Sequence, residues 1–245
     1  MSRVTQKDMD WLPQPSFQIE GKKSTQKWSS GKSLKKSFPK IILGISAAFA
    51  LLILPFFVLI RTAVYMNVEQ NINGWVSILV GASGSILFLV ICFGIVLRKT
   101  KHRKVWLKLI FSGISMFLLG FCLSAVLYLS SVNSKTEGVR EVYRSLHPIL
   151  RLSVATVTLA DKNLVITDIR RQSEDYAKMG LSQVQASYHF VQKDGYVHAI
   201  DLRTIGHSFI RNLILKQSLN VMGLQTIRHT GTADHLHVYL PVIKY

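Results

Sequence analysis

The stretch Thr230-Gly-Thr-Ala-Asp234-His235-Leu236-His237-Val238-Tyr239-Leu240-Pro241 decides how the C-terminal half of the chain is read. Leu236–Leu240 alternates apolar and polar side chains and predicts a closing strand, on which His235 and His237 share one face. Asp234 stands at the turn into that strand, three positions before His237. Working back, Leu224–His229 predicts a partner strand, and Gly223 stops a helix over Ile205–Met222. Tyr196–Leu202 predicts a further strand, and Ser173–Met179 a short helix stopped by Gly180. Ser153–Leu159 and Leu164–Thr167 cluster β-branched residues around the turn Asp161-Lys-Asn163, which predicts a hairpin. Thr136–His147 predicts a helix broken by Pro148. Residues 132–245 therefore read as one small α+β domain with an antiparallel sheet.

Before Val132 the texture is different. Three long apolar runs cover about 41–65, 75–97 and 105–130. Each is long enough to cross a hydrocarbon layer of about 30 Å at about 1.5 Å per residue. Pro55 interrupts the first run, as membrane helices tolerate. Gly81-Ala-Ser-Gly84 in the second offers small residues where two helix backbones could approach. Residues 41–131 thus form a three-helix membrane domain. Residues 1–40 are polar, basic and aperiodic, which predicts a disordered tail.

Charge orients these pieces. The net charge of +17 is concentrated beside the apolar runs: residues 1–40 hold nine bases against three acids, and Arg98–Lys108 holds six bases and no acid. By the positive-inside rule both basic segments are cytoplasmic, so the multi-pass chain has a cytoplasmic N-terminus and residues 132–245 lie outside. Nucleic-acid binding, the competing reading of a basic chain, finds no aromatic-and-basic module here. No carboxylate lies within the runs, which argues against a proton or ion pathway. The only cysteines, Cys92 and Cys122, fall inside apolar runs and offer neither a disulfide framework nor a thiolate metal site.

Seven of the eight histidines fall after Val132. Imidazoles grouped with carboxylates suit a zinc site, which takes three protein ligands and keeps a fourth position for water. Such a site also uses a carboxylate to take the proton of the attacking water. In order, the chain carries Val165-Ile-Thr-Asp-Ile-Arg170-Arg171, Ser187-Tyr-His189, His198-Ala-Ile-Asp201 and Asp234-His-Leu-His237. This series resembles the zinc D,D-carboxypeptidases and L-alanyl-D-glutamate endopeptidases that cut peptidoglycan peptides, over about residues 140–241.

The resemblance implies a zinc-peptidase-like fold and Zn2+ bound by His189, Asp201 and His237. It implies Asp234 as general base and Arg171 as the residue that stabilises an oxyanion or holds a substrate carboxylate. His235 and Ser187 would orient these groups from behind. The protein would then be a membrane-anchored zinc peptidase (a hydrolase) of the bacterial cytoplasmic membrane, with peptidoglycan peptides as substrate and the lipid bilayer as support. The alternative is a non-catalytic peptidoglycan-binding or scaffolding protein with a degenerate peptidase fold. The chain departs from the family in one place: Asp201 follows His189 by twelve positions, further than the family keeps them. If Phe190–Asp194 does not return Asp201 to the metal, His198 becomes the rival ligand.

Overall fold

The computed structural model describes residues 32–178, 180, 186–231 and 234–242. The expected character of residues 1–31 therefore lies outside the described residues. Three long helices come first: α1 (Lys32–Val68), α2 (Gly74–Val96) and α3 (Arg103–Leu127). All three contain segments long and apolar enough to cross a membrane, and the chain is a membrane protein. Helix α1 begins at Lys32, ahead of the apolar run, so the basic segment just before Ile41 continues the helix where a disordered tail was expected.

The α1–α2 connection is short, because Asn71 takes a left-handed turn (φ 51°) that asparagine tolerates. The Asn73 side chain then caps α2 by accepting the Trp75 N–H at 2.9 Å. Helices α1 and α2 touch backbone to backbone at Gly81, where an added Cβ would lie 2.3 Å from the Leu59 carbonyl oxygen. The Ser85 hydroxyl, on the same side of α2, donates to the Pro55 carbonyl at 2.8 Å.

After α3 come α4 (Glu137–Glu141), α5 (Pro148–Ala160), β1 (Ile166–Asp168), α6 (Ser173–Lys178), β2 (Ala199–Arg203), α7 (Phe209–Val221), β3 (Gln225–His229) and β4 (His235–Tyr239). The strands form one antiparallel sheet in the order β1-β2-β4-β3. The closing hairpin β3–β4, the strand β2 and the helices α6 and α7 fall where the sequence pattern puts them.

The segment before β1 does not. Ser153–Leu159, expected as a strand, lies inside helix α5, and the expected helix 136–147 shortens to α4 followed by a 3-10 turn at Tyr143–Ser145. Pro148 begins a helix here. It occupies the first turn, where its missing N–H costs nothing, and His147 caps that turn. The β-branched Val154, Thr156, Val157 and Thr158 oppose helix by only about 0.7 kcal/mol or less each, and the Ser153 and Thr156 hydroxyls are satisfied by the carbonyls of Ile149 and Leu152. Burial supplies the rest: Ile149, Leu150 and Leu152 are fully buried, each contributing about 1.5–3 kcal/mol.

Helix α5 packs against both α2 and α3 and against α7 of the C-terminal segment. The Arg151 guanidinium, buried, donates to the Val126 carbonyl at the end of α3. It also lies 5.4 Å from the Trp75 ring at the start of α2 and 5.9 Å from the Tyr196 ring. Tyr143 donates to the Ala125 carbonyl at 2.7 Å. Residues from Ser46 to Tyr245 make one compact unit. The C-terminal residues sit where α1 ends, α2 begins and α3 ends; the basic turn after α2 is at the other end of these helices.

Candidate metal centre

Strand alternation sorts the sheet into two faces. Ile200, Leu202, Leu236 and Val238 point into the core and are buried. The opposite face carries Asp201 on β2, His235 and His237 on β4 and His229 on β3. Register does the rest: Asp201 pairs with His237, and His235 with His229. A one-residue slip would turn all of them inward.

His189 reaches the same point from a loop. The Ser187 hydroxyl accepts the His189 backbone N–H at 3.2 Å and is itself held by the Tyr176 hydroxyl at 2.9 Å. The His189 ring donates from Nδ1 to the Ile169 carbonyl at 2.7 Å. That bond fixes the tautomer and leaves the Nε2 lone pair facing inward. Nε2 lies 3.2 Å from His237 Nδ1 and 3.3 Å from Asp201 Oδ1, while His237 Nδ1 is 2.9 Å from the same oxygen.

Zinc bonds of about 2.0–2.1 Å at tetrahedral angles separate donor atoms by about 3.3 Å. The three observed separations fall close to that value, and the donor set is two imidazoles and one carboxylate. These residues could hold a metal ion, with His189 and Asp201 buried and His237 partly open.

The long step between His189 and Asp201 is taken up by a tight turn. Gln192 N–H and the Tyr196 carbonyl bond at 2.8 Å, Val191 pairs with Val197, and Gly195 supplies a left-handed residue (φ 84°). The Gln192 amide donates back to the Ser187 and Phe190 carbonyls at 2.9 and 2.8 Å. The extra residues leave as a small hairpin, and Asp201 returns to the cluster.

His198 takes another place. Its Nε2 lies 2.8 Å from Asp194 Oδ2, beside His147, in a second histidine–aspartate group. There the His147 Nδ1 accepts the Ile149 N–H at 3.3 Å. The neutral ring then carries its proton on Nε2 and has no lone pair there for an ion. Burial, helped by neighbouring His198 and Arg151 and opposed by Asp194, pushes the His147 pKa down to about 3. The bond from Ile149 to His147 Nδ1 makes this group less suited to an ion than His189, Asp201 and His237, although its three side chains are also close enough together to hold one.

Arg171 was expected to face a substrate. Its guanidinium instead bonds Asp168 and the outer oxygen of Asp201. Burial alone would raise the Asp201 pKa; its contacts with His189 and His237 and the Arg171 charge outweigh that and hold it far below the usual carboxylate range. Arg171 is thus a positioning residue: it fixes one carboxylate oxygen so that the other faces the two imidazoles.

Asp234 also stands apart from the three donors. Its carboxylate receives Arg228 at 2.8 Å and the Thr204 hydroxyl at 2.6 Å, which together hold its pKa down to about 2. His235 Nε2 is 3.8 Å from Asp201 Oδ2, and its ring stacks on His229 at 4.9 Å. His229 belongs to none of the motifs that carry the resemblance. Only the β3–β4 register, which depends on the length of the intervening turn, brings it to the cluster.

A row of rings leads away from the donors. His237 lies 5.6 Å from Tyr239, which stacks on Tyr188 at 4.9 Å. Tyr188 in turn lines a cavity of about 800 Å³ together with Asn71, Asn73, Ser187, Asp194 and Tyr196. The cavity has one wall from the α1–α2 connection and the others from the C-terminal residues. Its lining combines apolar side chains with amides, hydroxyls and the Asp194 carboxylate, the mixture typical of a ligand site. Comparison with protein-family models, with curated proteins and with solved structures returned no significant match to this chain.

Proposed function

We propose that this protein is a membrane-anchored zinc peptidase acting on the peptides of peptidoglycan. The observation that carries the reading is the convergence of His189 Nε2, Asp201 Oδ1 and His237 Nδ1, at 2.9–3.3 Å from one another, in the order that the resembled peptidases use. The basic clusters support a cytoplasmic N-terminus and an extracytoplasmic C-terminal domain in a bacterial cytoplasmic membrane, the compartment that such a substrate requires.

His189, Asp201 and His237 would hold the ion. When bound, zinc supplies Lewis-acid polarisation of a carbonyl and a water acidified to a pKa of about 7. The protein's own residues prepare the rest. Ile169 and Ser187 lock His189, and Arg171 locks Asp201. The cavity beyond Tyr188 would receive the peptide. Asp234 takes the proton of the attacking water and returns it to the leaving amine. For that it must exchange Arg228 for the substrate-filled site, because a carboxylate paired with a guanidinium is a weak base.

A second reading, a non-catalytic peptidoglycan-binding or scaffolding protein, is favoured by one observation: Asp234 is bound by Arg228 and Thr204. One experiment separates the two. The full chain, in lipid nanodiscs and loaded with zinc, is incubated with defined peptidoglycan fragments and the products are weighed by mass spectrometry. The peptidase reading predicts fragments whose summed mass exceeds the substrate by one water, lost in Asp234→Asn although that variant keeps its metal. Metal binding and fragment binding without any cleavage would establish the scaffolding reading.

A further inference from the structure

Helix α7 carries two apolar faces. Leu215 and Leu219 point into the core beside Asn212, and Met222, just past the helix, is buried with them. On the other side Phe209 (71% exposed), Ile210 (67%), Leu213 (41%), Ile214 (61%) and Val221 (60%) are open. At 3.6 residues per turn these five fall on one stripe covering less than half of the helix circumference, with Gln217 and Asn220 as its two polar members and Asn220 occupied by the Thr226 hydroxyl. Arg211 and Lys216 border it. A helix of a water-soluble domain needs only the first face, and a stripe of this size left in water is a liability.

The position of the helix identifies what covers the second face. α7 stops at Gly223, where an added Cβ would meet Arg61 Nη1 at 2.6 Å and Val64 Cγ1 at 2.9 Å. Both residues belong to the membrane-crossing part of α1, Ile41–Val68. That segment of 28 residues rises about 42 Å, some 12 Å more than a hydrocarbon core of about 30 Å. Arg61 is the last charge of α1, about 10 Å along the axis before Val68, a depth at which a guanidinium reaches the headgroups. The C-terminal end of α7 is therefore level with the boundary between headgroups and acyl chains.

We infer that α7 is an interfacial helix: its Phe209–Ile210–Leu213–Ile214–Val221 stripe is immersed in the bilayer surface on the side that carries the metal-centre domain. The bilayer is the occupant because the helix end is already seated against a membrane-crossing element. Such helices combine an apolar stripe with bordering cations that meet lipid phosphates, as Lys216 does here. The inference is independent of any catalytic role for the metal centre. Its consequence is a domain held flat on the membrane at two places, by α5 on the helix ends and by α7 on the lipid.

The test uses the full chain with Cys92→Ser and Cys122→Ser, carrying a single environment-sensitive nitrobenzoxadiazole probe at Ile214→Cys or, separately, Phe209→Cys. Glu174→Cys on α6 is the control. Each is reconstituted into phosphatidylcholine–phosphatidylglycerol vesicles, with and without lipids spin-labelled near the top of the acyl chain. The expected result is blue-shifted emission and strong quenching by the spin-labelled lipid at 214 and 209, with neither at 174. Water-like emission and no lipid quenching at both α7 sites would overturn the inference. Blue-shifted emission without lipid quenching, growing with the protein-to-lipid ratio, would overturn it too, and would assign the stripe to a second copy of the chain.

Discussion

Replacing Gly81 by alanine tests how the membrane helices are held together. The new methyl group would sit 2.3 Å from the Leu59 carbonyl oxygen, 3.2 Å from its carbon and 3.3 Å from the Ala63 nitrogen. All three are backbone atoms, so no side chain can swing away. Restoring an ordinary contact requires α1 and α2 to part by about 1 Å, and overpacking of this kind costs about 1–3 kcal/mol. Gly84 lies one turn on and has nothing within 4 Å of an added Cβ. Both substitutions gain the same helix propensity, about 1 kcal/mol, so their difference isolates the contact. Gly81→Ala is expected to be less stable than Gly84→Ala by about 1–3 kcal/mol, read from thermal unfolding of the full chain in one detergent. Loosening should extend to α1's other neighbours, including Gly223 against Arg61. Equal stability of the two variants would refute the close backbone approach.

Acid should weaken the fold through His147. Its folded pKa is lowered to about 3 against about 6.5 when unfolded, so the unfolded chain takes up the proton first. Its contribution is complete above about pH 6.5 and is lost as pH falls from there toward 3, by up to about 1.4 kcal/mol per unit. Melting temperatures between pH 7 and 4.5 should fall less steeply for His147→Gln than for the natural chain; equal slopes would exclude the residue. Arg151→Met keeps much of the volume but removes the charged hydrogen bond to Val126, worth about 1.5–3 kcal/mol, and should raise protease sensitivity of the α3–α5 junction. Arg171→Gln should weaken zinc binding by about 10–100-fold, as loss of a group that orients a ligand does, measured by competition with a chromogenic chelator.

Much of this architecture is legible in the residues. The three apolar runs and the closing hairpin need only periodicity, while the set of three donors rests on the resemblance to the zinc peptidases. What escaped was decided by tertiary contacts. Val154, Thr156, Val157 and Thr158 look like a strand, yet they sit in α5 because that segment is enclosed by membrane helices and α7, and enclosure outweighs the modest preference of β-branched side chains. Arg171 sits at the expected place in the chain but turns toward Asp201. Asp234 binds Arg228 across the hairpin, a partner fixed by the β3–β4 register. The spacing of His189 and Asp201 looked like the weak point, and the Gln192–Tyr196 turn absorbs it.

His189, Asp201 and His237 are assigned to one metal centre. The direct measurement is zinc content of the full chain, purified in detergent, stripped with chelator, reloaded with zinc and freed of excess metal. The natural chain and His147→Gln should each retain about one zinc per chain, as a site with three protein ligands does, while Asp201→Asn and His237→Ala retain little. No bound zinc in the natural chain, or zinc kept by His237→Ala and lost by His147→Gln, would contradict the assignment.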